Sequence, residues 1–98
     1  MARLDVYEWG PGTLVVDVQS ALLRELRTRV VAPLVPGERL YGPIRDLNPV
    51  VIIGGVAHVM MTESLAAVPS KSLGQKIASL HDWHDEITRA LDILLLGA

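Results

Sequence analysis

The order of segments along this 98-residue chain predicts a mainly β fold of the α+β kind. The expected form is a small, bent antiparallel sheet or SH3-like barrel with one C-terminal α-helix. Three observations predict it. Five or more short β-rich segments are separated by glycine and proline turns. An apolar run, Val50 to Ile53, meets Gly54-Gly55 and then a returning apolar segment. The stretch from Leu80 to Ala98 changes to helical periodicity. The length suits one domain, residues 1–98, with a single core.

Leu4 to Trp9 alternates apolar and polar residues, the period of a strand with one buried face. Gly10-Pro11-Gly12 is a turn, since glycine supplies positive φ and proline fixes its own. Thr13 to Val18 is β-rich, so the first two strands form a hairpin ended by Gln19 and Ser20. Ala21 to Arg27 has the propensity for about two helical turns, yet is short enough to be an ordered loop. Arg29 to Val35 reads as a third strand. Its Pro33 lacks a donor, which predicts an edge position or a bulge.

Residues 36 to 49, punctuated by Pro36, Gly37, Gly42, Pro43 and Pro49, form the main irregular segment, with Arg39, Arg45 and Asp46 among them. Val50 to Ile53 is apolar without alternation, which predicts cover on both faces by a helix or a second subunit. Gly54-Gly55 is a two-residue hairpin turn, and Val56 to Thr62 returns antiparallel. Leu65 to Val68 is one more short strand closed by Pro69, and Ser70 to Ser79 is ambiguous, with Gly74 breaking any long helix.

In the terminal helix Trp83, Ile87, Ala90, Leu91 and Leu94 share one face. Asp82, Asp85, Glu86, Thr88, Arg89 and Asp92 occupy the opposite arc. Leu96 falls in the middle of that polar arc, flanked by Ile93 and Leu95. A helix that only packs on a core has no use for leucine there, so this end is frayed tail or a contact with another molecule. That surplus of apolar surface, with the Val50–Ile53 strand, also points to a homodimer.

Composition excludes several classes. A net charge of −2 offers no field for nucleic acid, so DNA is expected only indirectly, through a protein that handles it. With no Cys there are no disulfides or thiolate metal sites, and a reducing cytoplasm is the expected setting. No apolar run reaches the roughly 18 residues that a membrane span needs.

The polar clusters read as structural. His81, His84 and Asp85 have helical spacing that can chelate a metal, but Zn²⁺ sites usually draw more ligands than one turn supplies. Asp82 reads instead as the helix cap, with acids in the first turn. His58 lies in a hairpin strand with one wet side and reads as structural. The Met60-Met61 pair reads as core filling plus one adaptable contact residue. Arg24, Arg27 and Arg29, with Glu25 in their midst, read as solvated loop. No nucleophile elbow or phosphate loop is present, and no enzyme activity, cofactor or metal is expected.

Several stretches taken together resemble the CcdB toxin family. They are Val16-Asp17-Val18-Gln19-Ser20, Asn48-Pro49-Val50-Val51 with the hairpin into Met60-Met61-Thr62, Ala66-Ala67-Val68-Pro69, and the final helix with Gly97. The resemblance implies a cytoplasmic, homodimeric toxin of a bacterial type II toxin–antitoxin pair, of the kind that serves plasmid maintenance. Family members bind the A subunit of DNA gyrase and trap its cleaved DNA complex. They are neutralised by the disordered C-terminal segment of a CcdA-like antitoxin, and the joint complex represses its own operon. The implied gyrase-binding positions are Ser20, Leu22 and Leu23 after the second strand, with Asp92, Leu95, Leu96, Gly97 and Ala98 at the helix end. Leu96 and Ala98 stand where the family typically has tryptophan and isoleucine. Two alternatives are a dimeric antitoxin-binding module with lost or altered gyrase targeting and, with less support, a ribonuclease toxin on the related fold.

Overall fold

The computed structural model describes residues 2–37, 44 and 46–97. Its strands are β1 (Asp5–Glu8), β2 (Leu14–Asp17), β3 (Thr28–Pro36), β4 (Val50–Ile53), β5 (Val56–Met60), β6 (Ala66–Pro69) and β7 (Lys76–Ser79). One α-helix, α1 (His84–Leu96), follows them. The strands form one antiparallel sheet in the order β4-β5-β3-β2-β1-β7, and β6 joins β3 off that path. This is the curled half-barrel with a C-terminal helix that the sequence predicts.

The turns follow the local chemistry. Gly10 and Gly12 both take positive φ in the β1–β2 turn, and the Trp9 amide donates to Thr13. Gly54 and Gly55 do the same between β4 and β5, the two-residue hairpin that needs positive φ twice.

β3 is the longest strand and the pivot of the sheet. One side pairs with β2 from Val31 to Leu34. Its other side pairs with β6 over Thr28–Val31 and with β5 over Leu34–Pro36. Pro33 is therefore central, not at an edge, which corrects the sequence expectation. Its carbonyl accepts from the Met61 amide on the β5 side, so the missing N–H faces the gap where β3 changes partner. The donor a central strand ordinarily requires is not needed there.

Two layers of packing result. Leu4, Val6, Val16, Val18, Ala32 and Leu34 lie under α1, with Val51, Ile53, Met60, Leu80 and Ile87. The reverse face carries Tyr7, Val15, Val31 and Val68, covered in part by Leu73. β1 is thus buried on both faces, Asp5 and Tyr7 included, where its alternation predicts one. The reverse of this pattern holds in β4. Val51 and Ile53 are buried while Val50 and Ile52 are exposed, so within this protomer one face of the strand is covered and the other is open. β7 settles the ambiguous stretch: it pairs with β1 through a register shift between Val6 and Tyr7.

α1 is preceded by a 3₁₀ turn over His81–Trp83, and Trp83 occupies the cap position without a side-chain cap bond. Asp82 is not the cap, which corrects the sequence expectation. The start is held instead by buried Leu80, whose amide donates to Leu4 O at 2.8 Å. Ile87 and Ala90 form the buried face, with Trp83 and Leu91 packed beside them. Asp85 and Glu86 in the first turn oppose the positive end of the helix dipole.

The reverse face also holds charge. Arg29 Nε donates to Asp17 Oδ2 at 2.8 Å, and both side chains are fully buried. Nη2 lies 2.7 Å from the same oxygen as a charge contact, and Nη1 has no partner among the described residues. Arg29 is thus a structural ion of the interior, not the solvated loop residue its neighbours Arg24 and Arg27 are. Next to it Tyr7 Oη donates to Asp5 Oδ2 at 3.4 Å, and Lys76 Nζ sits 3.3 Å from Asp5 Oδ1. Burial, then the nearby Asp5 charge, raises the Tyr7 phenol above its ordinary pKa of 10.0.

Asp17→Ala leaves the Arg29 charge buried and alone, and is expected to cost about 3–5 kcal/mol in denaturant unfolding. The double replacement Asp17→Leu with Arg29→Met should cost clearly less than either single change, because no orphan charge remains. For Tyr7 the folded state favours the neutral phenol. Its contribution to stability is complete below the unfolded pKa and disappears as pH rises through the higher folded value. Unfolding curves above about pH 10 should therefore lose stability in the parent and lose less in Tyr7→Phe.

Candidate functional site

Two exposed apolar patches occupy the positions singled out in the sequence. The first is the loop after β2. Ser20 opens a single 3₁₀ turn over Ala21–Leu23, its Oγ accepting from the Leu22 amide at 3.2 Å and its carbonyl from the Leu23 amide at 3.0 Å. Of the two readings left open for Ala21–Arg27, the ordered loop is the observed one. Leu22 is 90% exposed, and Leu23 and Leu26 are exposed beside it.

This loop is shaped from beneath by buried polar groups. Asp17, already paired with Arg29, uses its Oδ1 to accept from the Gln19 amide at 3.0 Å. Gln19 then donates from Nε2 to Leu23 O at 2.9 Å and accepts at Oε1 from the Val30 amide at 3.1 Å. One side chain thus ties the leucine turn to the start of β3. Gln19 carries no sequence expectation beyond ending a strand. The available signal is a pair of polar residues, Asp17 and Gln19, closing a run of valines. Both must find partners if that run is buried.

The second patch is the end of α1. Leu95 and Leu96 are 67% and 75% exposed, and Asp92 is exposed one turn earlier. Gly97 adopts φ 71° and its amide donates to Ile93 O at 3.2 Å, the left-handed cap that ends a helix. Any residue with a Cβ would be strained there, which is a physical reason for glycine before the last residue. Ala98 lies outside the described residues, as do Arg39 and Arg45.

Within one protomer these patches are separate. α1 packs on the Thr62–Ser64 turn and on its own His81–Trp83 lead-in, rather than on the 20–27 loop. Charged side chains are exposed at both patches, Arg24, Glu25 and Arg27 in the loop and Asp92 on the helix, beside the projecting leucines. Exposed aliphatic side chains of this kind gain free energy when a partner removes them from water.

The sequence suggests a half-wet strand position for His58, and the structure places it in a drier one. His58 is buried in β5 with Nδ1 2.9 Å from Val56 O. His84 Nδ1 is 3.2 Å from Asp85 Oδ1 at the helix surface, and no cluster among the described residues has the geometry to hold a metal ion. Of the Met60-Met61 pair, Met60 is fully buried and Met61 half-buried. No helix among the described residues is long and apolar enough to cross a membrane.

A family model described as CcdB protein matches residues 3–97, nearly the whole chain. Among solved structures the fold is similar to an endoribonuclease in complex with its cognate antitoxin from a mycobacterial species. That likeness has a TM-score of 0.79 at 16% identity and covers 99% of this chain and 95% of the other. At that identity it describes the fold.

Gln19→Ala should leave Leu23 O and the Val30 amide without their side-chain partner. A loss of about 1–3 kcal/mol is expected, with faster amide exchange at Leu22 and Leu23 than in β2 or β5.

Proposed function

The chain belongs to the CcdB family of toxin–antitoxin toxins, and we propose that it poisons DNA gyrase. In this reading a homodimer binds the gyrase A subunit, wedges into the enzyme while its DNA is cut, and traps the cleaved complex. A CcdA-like antitoxin neutralises it, and DNA is met only through gyrase or the antitoxin. The protein acts by occupying a surface, without a catalytic step or cofactor of its own.

The observation that carries the reading is the exposure of Leu22, Leu95 and Leu96, at the positions where the family resemblance locates gyrase contact. Leu96 projects from the polar side of α1, where a leucine stabilises nothing within the protomer. Ser20, Leu22 and Leu23 supply one half of the proposed contact. Asp92, Leu95, Leu96, Gly97 and Ala98 supply the other. Dimerisation joins the halves into a larger surface than either patch presents alone.

The ribonuclease reading keeps a specific motive, since the similar solved structure is an endoribonuclease with its antitoxin. It demands positioned acid–base groups on an accessible face. Asp17 and Arg29, the closest oppositely charged pair among the described residues, are fully buried and so are withdrawn from any RNA strand.

The test is DNA cleavage by cognate gyrase with micromolar protein, beside incubation with cellular RNA. Stabilised double-strand breaks with intact RNA are expected; defined RNA cuts without DNA breaks would replace this reading by the other. Against a conventional gyrase, the Leu96→Trp, Ala98→Ile double variant should poison more strongly. An aromatic anchor of this kind is worth at least about 2 kcal/mol, roughly thirtyfold in affinity.

A further inference from the structure

Three strands, β4, β6 and β7, pair on one side only among the described residues, and the two at the ends of the main path differ in their protection. At β7 the edge carries Lys76 and a register irregularity against β1, both of which discourage pairing with another strand. At β4 the sequence is Val50-Val51-Ile52-Ile53, with no charge, proline or bulge. Beyond it no strand pairs among the described residues.

The register shows which groups face outward. In a two-residue hairpin the residues flanking the turn are a hydrogen-bonded pair, here Ile53 with Val56. Val51, by alternation, bonds to β5 as well, and Pro49 O accepts from the Met60 amide in the same phase at 2.9 Å. The backbone N–H and C=O of Val50 and Ile52 therefore point to the free edge. Their side chains, 39% and 48% exposed, lie on the open face. The same two residues offer both backbone groups and apolar surface to an incoming strand.

Chemistry at the Val50 end says what kind of segment fits. A cleft of about 150 Å³ opens there, lined by Asp46, Pro49, Val50, Glu86 and Arg89. Arg89 Nη2 lies 3.4 Å from Asp46 Oδ2, while Glu86 forms no ion pair among the described residues. Among the described residues the cleft thus holds one carboxylate without an ion-pair partner, beside Pro49 and Val50. Buried Asn48 holds the loop in place by accepting from the Ile44 amide at 2.9 Å and donating to Met60 O and Glu63 Oε1. A second copy of this chain is a poorer occupant. Two β4 strands paired antiparallel about a two-fold axis bring the uncharged Ile53 end of one to the Val50 end of the other, leaving Glu86 unmatched.

We propose that the free edge of β4 docks an extended peptide, which adds a strand beside Val50–Ile53 and places a lysine or arginine in the cleft at Glu86 and Asp46. Alternate aliphatic side chains of the segment cover Val50 and Ile52. The inference rests on the toxin–antitoxin reading, in which the occupant is the disordered segment of the antitoxin.

The probe is the peptide acetyl-Lys-Val-Thr-Val-Thr-Val-amide at about 1 mM, read by amide hydrogen exchange at Val50 and Ile52. Exchange there should slow about tenfold on binding, as new strand bonds form. Methylating alternate backbone nitrogens of the peptide should abolish the effect. Ile52→Lys, an exposed position that can be changed without loss of the core, should weaken binding at least about tenfold, and Glu86→Lys several-fold. Unchanged exchange at about 1 mM overturns the proposal, as does equal protection by the methylated peptide. Protection without peptide that grows with protein concentration also overturns it, in favour of a second copy. Gyrase cleavage by the unaltered protein is scored beside it. Protection without cleavage overturns the gyrase reading alone, and cleavage without protection overturns edge docking alone.

Discussion

The fully buried ion pair between Asp17 and Arg29 is the constraint on which the reverse face of the sheet depends. It joins β2 to β3 at the point where β3 also takes up β6. Interior charge is costly, and a pair of this kind is poor evidence for net stability. Its value here is positional. Asp17 spends one oxygen on Arg29 and the other on the Gln19 amide, and Gln19 then braces the turn that presents Leu22 and Leu23. A chain of directed bonds runs from the interior to an exposed apolar loop.

That arrangement suits a protein whose work is contact. An aliphatic patch on a loose loop loses ordering entropy when it binds; a patch held by bonds from below has lost that freedom already. The helix end is prepared differently. Gly97 stops α1 in a left-handed cap, so Leu95 and Leu96 project from its final turn. Both patches thus present leucines from backbone that is fixed by its own hydrogen bonds. The unguarded β4 edge is a third surface with its own character, made of backbone groups and aliphatic faces next to a carboxylate.

Much of the fold was legible because it depends on rules that act over a few residues. Gly54-Gly55 announced a hairpin, Gly10-Pro11-Gly12 a turn, and the spacing of Ile87, Ala90 and Leu91 a packed helix face. Leu96 was legible as an exposed leucine for the same reason, since helical phase alone puts it on the polar side. β7 was hidden because Lys76 to Ser79 is short, mostly exposed and stabilised by β1 from the far end of the chain. Asp82 illustrates the opposite failure. Its capping propensity is real, but the Leu80 amide bond to Leu4 sets where the helix begins, and a 3₁₀ turn takes up Asp82.

By itself the sequence determined the β-then-α order, the hairpins, the apolar face of the final helix, the leucines left outside it and the family resemblance. Each follows from periodicity, turn chemistry or the joint spacing of short motifs. The tertiary structure alone decided that Arg29 is an interior ion while Arg24 and Arg27 are not, that Pro33 sits in a central strand, and that β4 has one open face. Those outcomes depend on which distant segments pair across β3. An arginine is buried only where an aspartate from another strand meets it, and a proline is tolerated centrally only where the neighbouring strand changes. Local propensity contains no information about either partner.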